Sequence, residues 1–275
     1  MKSTRCRSPL PATVAAAGLF LGLLLSIPTS TASAGQLLDA AQIAHRARTA
    51  LYPDLPSTRT MSIAVRTADD AVFTWTARQA RKNVGGRPSV LTVLDRPESV
   101  AGIAILAEAL DENMDAQWVY IPPIHRVRRL VYEGRFENFL GTDLSIEDFG
   151  FADIHSAQLT LLGQVEYEGE ITYVLREVPL DPSGYSKILS WVSAESYLPR
   201  RREFFDADGV LWKTQRYEHI AVIDGVATPL RMSVVNEQEG GSTELTVRGV
   251  NYAAELDDGL FRPAALPSML NNAGW

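Results

Sequence analysis

Short runs in which apolar residues alternate with polar or small residues dominate this chain and limit its fold. In the run 60–66, Met61, Ile63 and Val65 occupy every second position. A period of two places these side chains on one face of a β-strand and leaves the other face to water, which is typical of antiparallel sheets. The same pattern recurs in four further runs, whose apolar members are Phe73 and Trp75, Leu91 and Val93, Leu230, Met232 and Val234, and Leu245 and Val247.

Dipeptides typical of tight turns separate the alternating runs. Asp-Gly and Gly-Gly tolerate positive φ, which two-residue hairpin loops require. The chain therefore predicts about a dozen strands joined as a meander within one domain, residues 35–275. The turn dipeptides are Asp69-Asp70, Gly85-Gly86, Glu168-Gly169, Asp208-Gly209, Asp224-Gly225 and Gly240-Gly241.

Two segments are available to cover such a sheet. Residues 36–51 have apolar positions near a spacing of 3.6 and predict one amphipathic helix, which Pro53 ends. The irregular segment 122–156 is the second cover, and Pro122-Pro123 favours an exit from the sheet there because proline lacks a backbone donor. The predicted class is mainly β (α+β), a strongly curved antiparallel sheet with a hydrophobic inner face. Such a sheet, covered by a helix and a middle lid segment, favours an elongated apolar cavity.

The first 34 residues resemble a secretory signal peptide. A basic start with Lys2, Arg5 and Arg7 precedes an apolar stretch from Val14 to Ile27 and a small-residue site that ends at Ala34. We expect cleavage after Ala34 and a periplasmic protein; the alternative is an uncleaved anchor helix, although a span needs about 20 apolar residues.

Composition narrows the function of the remaining chain. Removing 34 of the 275 residues, with three of the 26 basic residues and none of the 33 acidic ones, leaves 241 residues with a net charge of −10. This acidic balance argues against nucleic-acid binding, which needs a basic surface.

The only cysteine, Cys6, precedes the apolar stretch, so we expect neither a disulfide nor a lipid anchor in the mature protein. Nucleophile-elbow, zinc-protease and phosphate-loop motifs are missing from the sequence, so we expect no enzyme activity, no cofactor and no metal.

A spread of motifs carries a resemblance to a known family. It begins with WVYIPPIHRVRRL at 118–130 and FLGTDL at 139–144, and it continues with Glu147-Asp148-Phe149. Further matches are YSKILSW at 185–191, LPR at 198–200, DGVLWK at 208–213 and Leu260-Phe261. Over roughly residues 45–266 the chain resembles outer-membrane lipoprotein-sorting proteins, which are similar to the LolA/LolB superfamily of periplasmic lipoprotein carriers.

The resemblance implies an open half-barrel with helices on its concave side and a cavity for the acyl chains of lipids or lipoproteins. It also implies work beside an inner-membrane exporter and transient membrane contact, and we expect a monomer. Thirteen apolar residues are candidates for the cavity wall, although strand aromatics are as often core residues. They are Met61, Ile63, Val65, Phe73, Trp75, Leu91, Val93, Trp118, Tyr120, Trp191, Leu230, Met232 and Val234.

Charged residues of the middle segment allow two interpretations. Arg126, Arg128 and Arg129 could contact anionic headgroups or a partner protein, or they could pair with Asp143, Glu147 and Asp148 and fix the lid. The three carboxylates could also serve acid–base chemistry, but loop carboxylates are usually caps or ion-pair partners. Three hypotheses follow: a lipid or lipoprotein carrier, an accessory module of an exporter without lipid cargo, and a lipid hydrolase.

Overall fold

The computed structural model of the protein describes residues 38–109, 115–130, 138–145, 157–180, 184–271 and 275. Residues Leu38–Trp275 form one compact unit. Its single α-helix among the described residues is α1 (Ala40–Leu51). The strands are β1 (Ser57–Arg66), β2 (Val72–Val84), β3 (Arg87–Arg96), β4 (Ala104–Ala109), β5 (Asp115–Ile121), β6 (Arg126–Arg129), β7 (Ala157–Tyr167), β8 (Glu170–Pro179), β9 (Lys187–Ser193), β10 (Pro199–Phe205), β11 (Leu211–Ile223), β12 (Val226–Asn236) and β13 (Ser242–Asn251).

All thirteen strands belong to one antiparallel sheet with the order β6-β5-β4-β3-β2-β1-β13-β12-β11-β10-β9-β8-β7. The sheet consists of two meanders, β1–β6 and β7–β13, and among the described strands the two meanders pair only through β1 and β13. In the described part of the chain, β6 and β7 each pair with one neighbour, so the sheet is not closed into a barrel. The predicted mainly β, open half-barrel class is confirmed.

The predicted turns connect strands at all six positions. Asp70, Glu168 and Asp224 have φ values of 65°, 51° and 50°, and glycines with positive φ occupy the other turns. Only residues that tolerate this left-handed region permit such tight connections, which explains why these dipeptides indicated the strand ends correctly.

Helix α1 begins at Ala40 and is capped by Asp39. The Gln42 amide donates to Asp39 Oδ1 at 2.8 Å, and the Asp39 amide donates to Gln42 Oε1 at 3.0 Å. This capping box satisfies two backbone donors and defines the first turn, so the helix starts later than the predicted residue 36. Its fully buried residue, Ile43, packs against Leu175 and Val192.

We define the inner face of the sheet as the side that carries Met61 and Ile63. Cross-strand register continues this face from Met61 and Ile63 of β1 to Val247 and Leu245 of β13, and then through β12 and β11 as far as β8. Because Leu175 belongs to the same face, α1 covers the inner side, as predicted.

The middle segment also covers the inner face where it is described. Phe139 and Leu144 belong to the same hydrophobic cluster as Ile63 and Trp75. The Thr142 hydroxyl lies 2.7 Å from the Phe139 carbonyl oxygen and 2.8 Å from that of Leu144, which closes the 139–144 loop.

A second hydrophobic layer covers the outer face of β3–β5. Leu91 and Leu106 on that face are fully buried under the C-terminal segment 254–271. This segment contributes Leu256, Phe261, Leu266 and Met269. The sheet is therefore buried on both sides over β3–β5.

Candidate functional site

A cavity of about 80 Å³ lies on the inner face, beside the C-terminal end of α1. Strands β1 and β2 form one wall, and β11, β12 and β13 form the other, so the cavity spans the junction of the two meanders. The apolar part of its lining consists of Leu51, Met61, Pro229, Met232, Leu245 and Val247.

Three tyrosines supply part of the polar lining. Tyr52, the C-cap of α1, lies at one side, and Tyr217 and Tyr252 come from the second meander. The hydroxyls of Tyr252 and Thr228 are 3.0 Å apart and buried, so this side of the wall is fixed by a hydrogen bond. The cavity thus combines an apolar floor with phenol groups near the helix end.

Two arginines complete the wall. Arg59 of β1 lies opposite Gln79, and Arg81 of β2 lies opposite Ser57, so the two arginines are diagonal neighbours on the inner face. Such neighbours are about 7–8 Å apart. Arg81 is only 8% exposed, and its guanidinium carbon lies 4.0 Å from the centre of the Tyr52 ring. Both cations therefore face the same cavity.

Burial perturbs both guanidinium groups. Burial is the main cause that lowers the pKa of Arg81 to about 10; the positive charge of Arg59 acts in the same direction, and Tyr52 and Tyr252 oppose it in part. Burial also lowers the pKa of Arg59 from its usual value. Because a lowered arginine pKa means that the charged form is disfavoured in the folded protein, the site holds two cations at an energetic cost.

Six of the thirteen candidate cavity residues lie together on the inner face. Met61, Ile63, Val65, Trp75 and Val234 form one cluster, against which Met232 packs. Met61 and Met232 line the cavity, and the other four are packed core. Whether any of them contacts a ligand stays a prediction.

Four other candidates do not share that face. Leu91, Val93, Trp118 and Tyr120 lie on the outer face, against the C-terminal segment, so the prediction that they share one lining with Met61 is wrong. The physical reason is that β3 is buried on both sides, so period-two alternation could not distinguish the faces.

The last three candidates lie away from the cavity wall. Phe73 is on the inner face opposite Val65 but is 53% exposed near the end of the sheet. Leu230 is half-buried on β12. Trp191 lies on the outer face, where the Arg201 guanidinium carbon is 5.3 Å from its ring centre.

The charged candidates are separated as well. Arg126, Arg128 and Arg129 are exposed on the edge strand β6, and none of the three forms an ion pair with a described residue. Asp143 is buried on the inner side, and its Oδ2 accepts a hydrogen bond from Thr243 Oγ1 at 3.0 Å. Pairing of Asp143 with these arginines is therefore not observed, while Glu147 and Asp148 lie outside the described residues.

Sequence reasoning missed the polar half of the cavity. Gln79 and Arg81 continue the inward alternation of Trp75 and Ala77 along β2, and Arg59 precedes Met61 by two residues. Extending the two alternating runs by these positions would have placed charged residues on a buried face, which is itself a signal of a functional site.

Other kinds of site find little support in the described residues. Across them, His, Cys, Asp and Glu side chains form no group of three or more that could hold a metal ion. None of the described helices has the length and apolar character needed to cross a membrane.

Comparison with known proteins gives the family. A family model described as an uncharacterized protein matches residues 86–268, which is more than half of the chain. The chain belongs to this family. No curated protein sequence matches the chain significantly.

Solved structures agree with this fold over most of the chain. A Vibrio parahaemolyticus domain described as an outer membrane lipoprotein-sorting protein is 27% identical with a TM-score of 0.75, covering 83% of this chain and 98% of its own. A DUF1329 family protein from Desulfovibrio piger is 26% identical with a TM-score of 0.76, covering 83% and 99%. A LolA superfamily protein from Nitrosomonas europaea, 24% identical with a TM-score of 0.66 over 82% and 98%, shares the fold. The family member described here thus shares the fold of a lipoprotein-sorting domain and of a LolA superfamily protein, as its motifs indicated.

Proposed function

We propose that this protein is a non-enzymatic carrier that binds acyl chains of a lipid or lipoprotein on the inner face of its sheet. The observation that carries the proposal is the partly apolar cavity beside α1, on an open sheet similar to that of a lipoprotein-sorting domain. Each CH₂ group moved from water into such a site contributes about 0.8 kcal/mol.

The cavity must enlarge to hold a whole chain. Its volume of about 80 Å³ is well below that of common ligand sites, which are about 300–1,000 Å³. Helix α1 is the element to move, because Ile43 is its single buried residue. Exposing one isoleucine costs about 1.5–3 kcal/mol, which burial of about four acyl CH₂ groups would offset. Burial of a short acyl chain would therefore offset the exposure of Ile43.

Displacement of a neutral fluorescent probe by dodecanol and dodecanoate tests the proposal, together with native mass spectrometry of lipids that co-purify. Met232→Trp should fill the cavity and weaken binding at least tenfold, since Met232 is part of the lining. Val222→Trp is the matched control, because Val222 is 74% exposed on β11. The proposal fails if the protein purifies without lipid and binds neither amphiphile.

The proposal includes export and release. Residues 1–34 would direct the chain to the periplasm and be cleaved after Ala34, which intact mass of the mature protein measures. The carrier would work as a monomer with transient membrane contact and would need neither cofactor nor metal. A retained N-terminus or a stable oligomer would contradict these parts.

A second candidate, docking to an inner-membrane exporter, is favoured by the exposed arginines of β6. Arg126 and Arg128 are exposed and form no ion pair with described residues, so they are available to an acidic partner. Reversal of both to glutamate should abolish complex formation and leave lipid uptake intact. Intact binding to the exporter after reversal would remove this candidate.

A further inference from the structure

The two arginines of the cavity are unusual for a site that accepts only hydrocarbon. Arg59 makes no side-chain hydrogen bond and no ion pair with any described residue, and its Nε is enclosed by protein. Buried charges normally have a partner of opposite charge, because leaving water costs several kcal/mol per ion. An apolar ligand alone would increase that cost.

Arg81 lies beside an aromatic ring and close to a second arginine. Tyr52 stacks on its guanidinium at 4.0 Å, and Tyr52, Tyr252 and Arg59 all act on its charge. The ring of Tyr52 therefore orients the guanidinium from one side. Together, Arg59 and Arg81 give the cavity a positive end beside the C-terminus of α1.

Guanidinium groups bind carboxylates and phosphates through paired N–H donors. We propose that this end of the cavity binds the anionic oxygen group, carboxylate or phosphate, of an acyl-chain amphiphile, with its chain against Met61 and Leu245. The inference rests on the proposed carrier function and narrows its ligand class to anionic lipids, because a neutral acylglycerol group offers the arginines no charge.

Ligands with one chain length and different headgroups test the inference. Displacement of a neutral fluorescent probe would be measured for dodecanoate, dodecyl phosphate and dodecanol at pH 7, with inorganic phosphate alone as the headgroup without a chain. Two charge-assisted contacts predict 10- to 100-fold tighter binding of the two anionic amphiphiles than of dodecanol.

Substitution of the arginines should remove this preference. In Arg59→Met/Arg81→Met, the ratio of dodecanoate to dodecanol affinity should fall to near one, while Arg81→Lys should retain part of it. Arg66→Met and Arg87→Met are matched controls, because their side chains are 57% and 54% exposed. Circular dichroism and thermal unfolding of each variant separate a lost contact from a lost fold.

The outcomes distinguish the two proposals. Equal affinity of the wild type for dodecanol and dodecanoate would overturn the anionic headgroup site and leave the carrier function standing. If inorganic phosphate binds as tightly as dodecyl phosphate, the arginines bind a free anion, and the inference that the anionic group belongs to a lipid is overturned. Binding of no amphiphile at all would overturn the carrier function and the headgroup site with it.

Discussion

Replacing Arg81 with methionine should stabilise the protein. Burial lowers the pKa of Arg81 from its usual value to about 10. A difference of one pKa unit corresponds to about 1.4 kcal/mol, so the charged form of Arg81 costs the folded state about 3 kcal/mol at pH 7. Because the folded pKa of this base lies below its unfolded value, the cost is fully present below about pH 10 and disappears as the pH rises toward the unfolded pKa.

Methionine would also lose favourable contacts. The aromatic contact with Tyr52 contributes about 0.5–2 kcal/mol, and its hydrogen bond offsets part of the burial cost already. Methionine fills a similar space without a charge and adapts to irregular cores. We therefore expect Arg81→Met to raise the free energy of unfolding by about 1–2 kcal/mol, which raises the melting temperature of a domain this size by about 2–8 °C.

Urea unfolding at pH 7, followed by tryptophan fluorescence and far-UV circular dichroism, measures this change. Arg87→Met is the control, because exposed substitutions usually change stability by less than about 0.5 kcal/mol. If Arg81→Met lowers the free energy of unfolding by 1 kcal/mol or more while the control is unchanged, the arginine stabilises the fold. The view that the cavity holds its charge at a cost would then be refuted.

Three further predictions follow from the same contacts. Ile43→Ala should lower the free energy of unfolding in urea by about 2–5 kcal/mol, since α1 loses its buried anchor. It should also speed probe uptake in stopped-flow fluorescence, and unchanged uptake would exclude α1 as the moving element. Asp143→Ala should lower the free energy of unfolding in urea by about 1–3 kcal/mol, because Thr243 loses an acceptor 3.0 Å away. Asp143→Asn should recover part of this loss, and an equal loss in both variants would contradict a simple hydrogen-bond role. Raising the pH above 10 should weaken dodecanoate but not dodecanol binding, because Arg81, with a pKa of about 10, becomes neutral; a titration in which both ligands respond alike would count against Arg81 as the headgroup contact.

The sheet was predictable where its two faces differ in environment. Along β1, Met61, Ile63 and Val65 are buried while Ser62 and Ala64 are only partly buried, so the alternation reports the inner face correctly. The hairpins were predictable for a different reason. Their tight turns require positive φ, and few residue types adopt that conformation readily.

The cavity was predictable only in part because its polar wall breaks the pattern that identified the strands. Arg59 and Arg81 occupy inward positions where alternation calls for apolar residues, so local rules assign them to solvent. The prediction that Leu91 lines the inner cavity failed for the opposite reason. The C-terminal segment buries a face of β3 that an isolated sheet would expose, and the sequence of β3 itself does not indicate this contact. Sites built from long-range packing are therefore poorly encoded in local sequence patterns.

The junction of β1 with β13 has a consequence for how the molecule folds. Thr60 Oγ1 donates to the Arg248 carbonyl across a separation of 188 residues, and β13 follows all the other described strands in sequence. The other pairs of described strands join neighbours in sequence, so each meander can form early from local contacts, whereas the central ladder must wait for β13. Until then β1 is an exposed edge that can recruit strands of other molecules, and a chaperone that shields it would act before the ligand cavity exists.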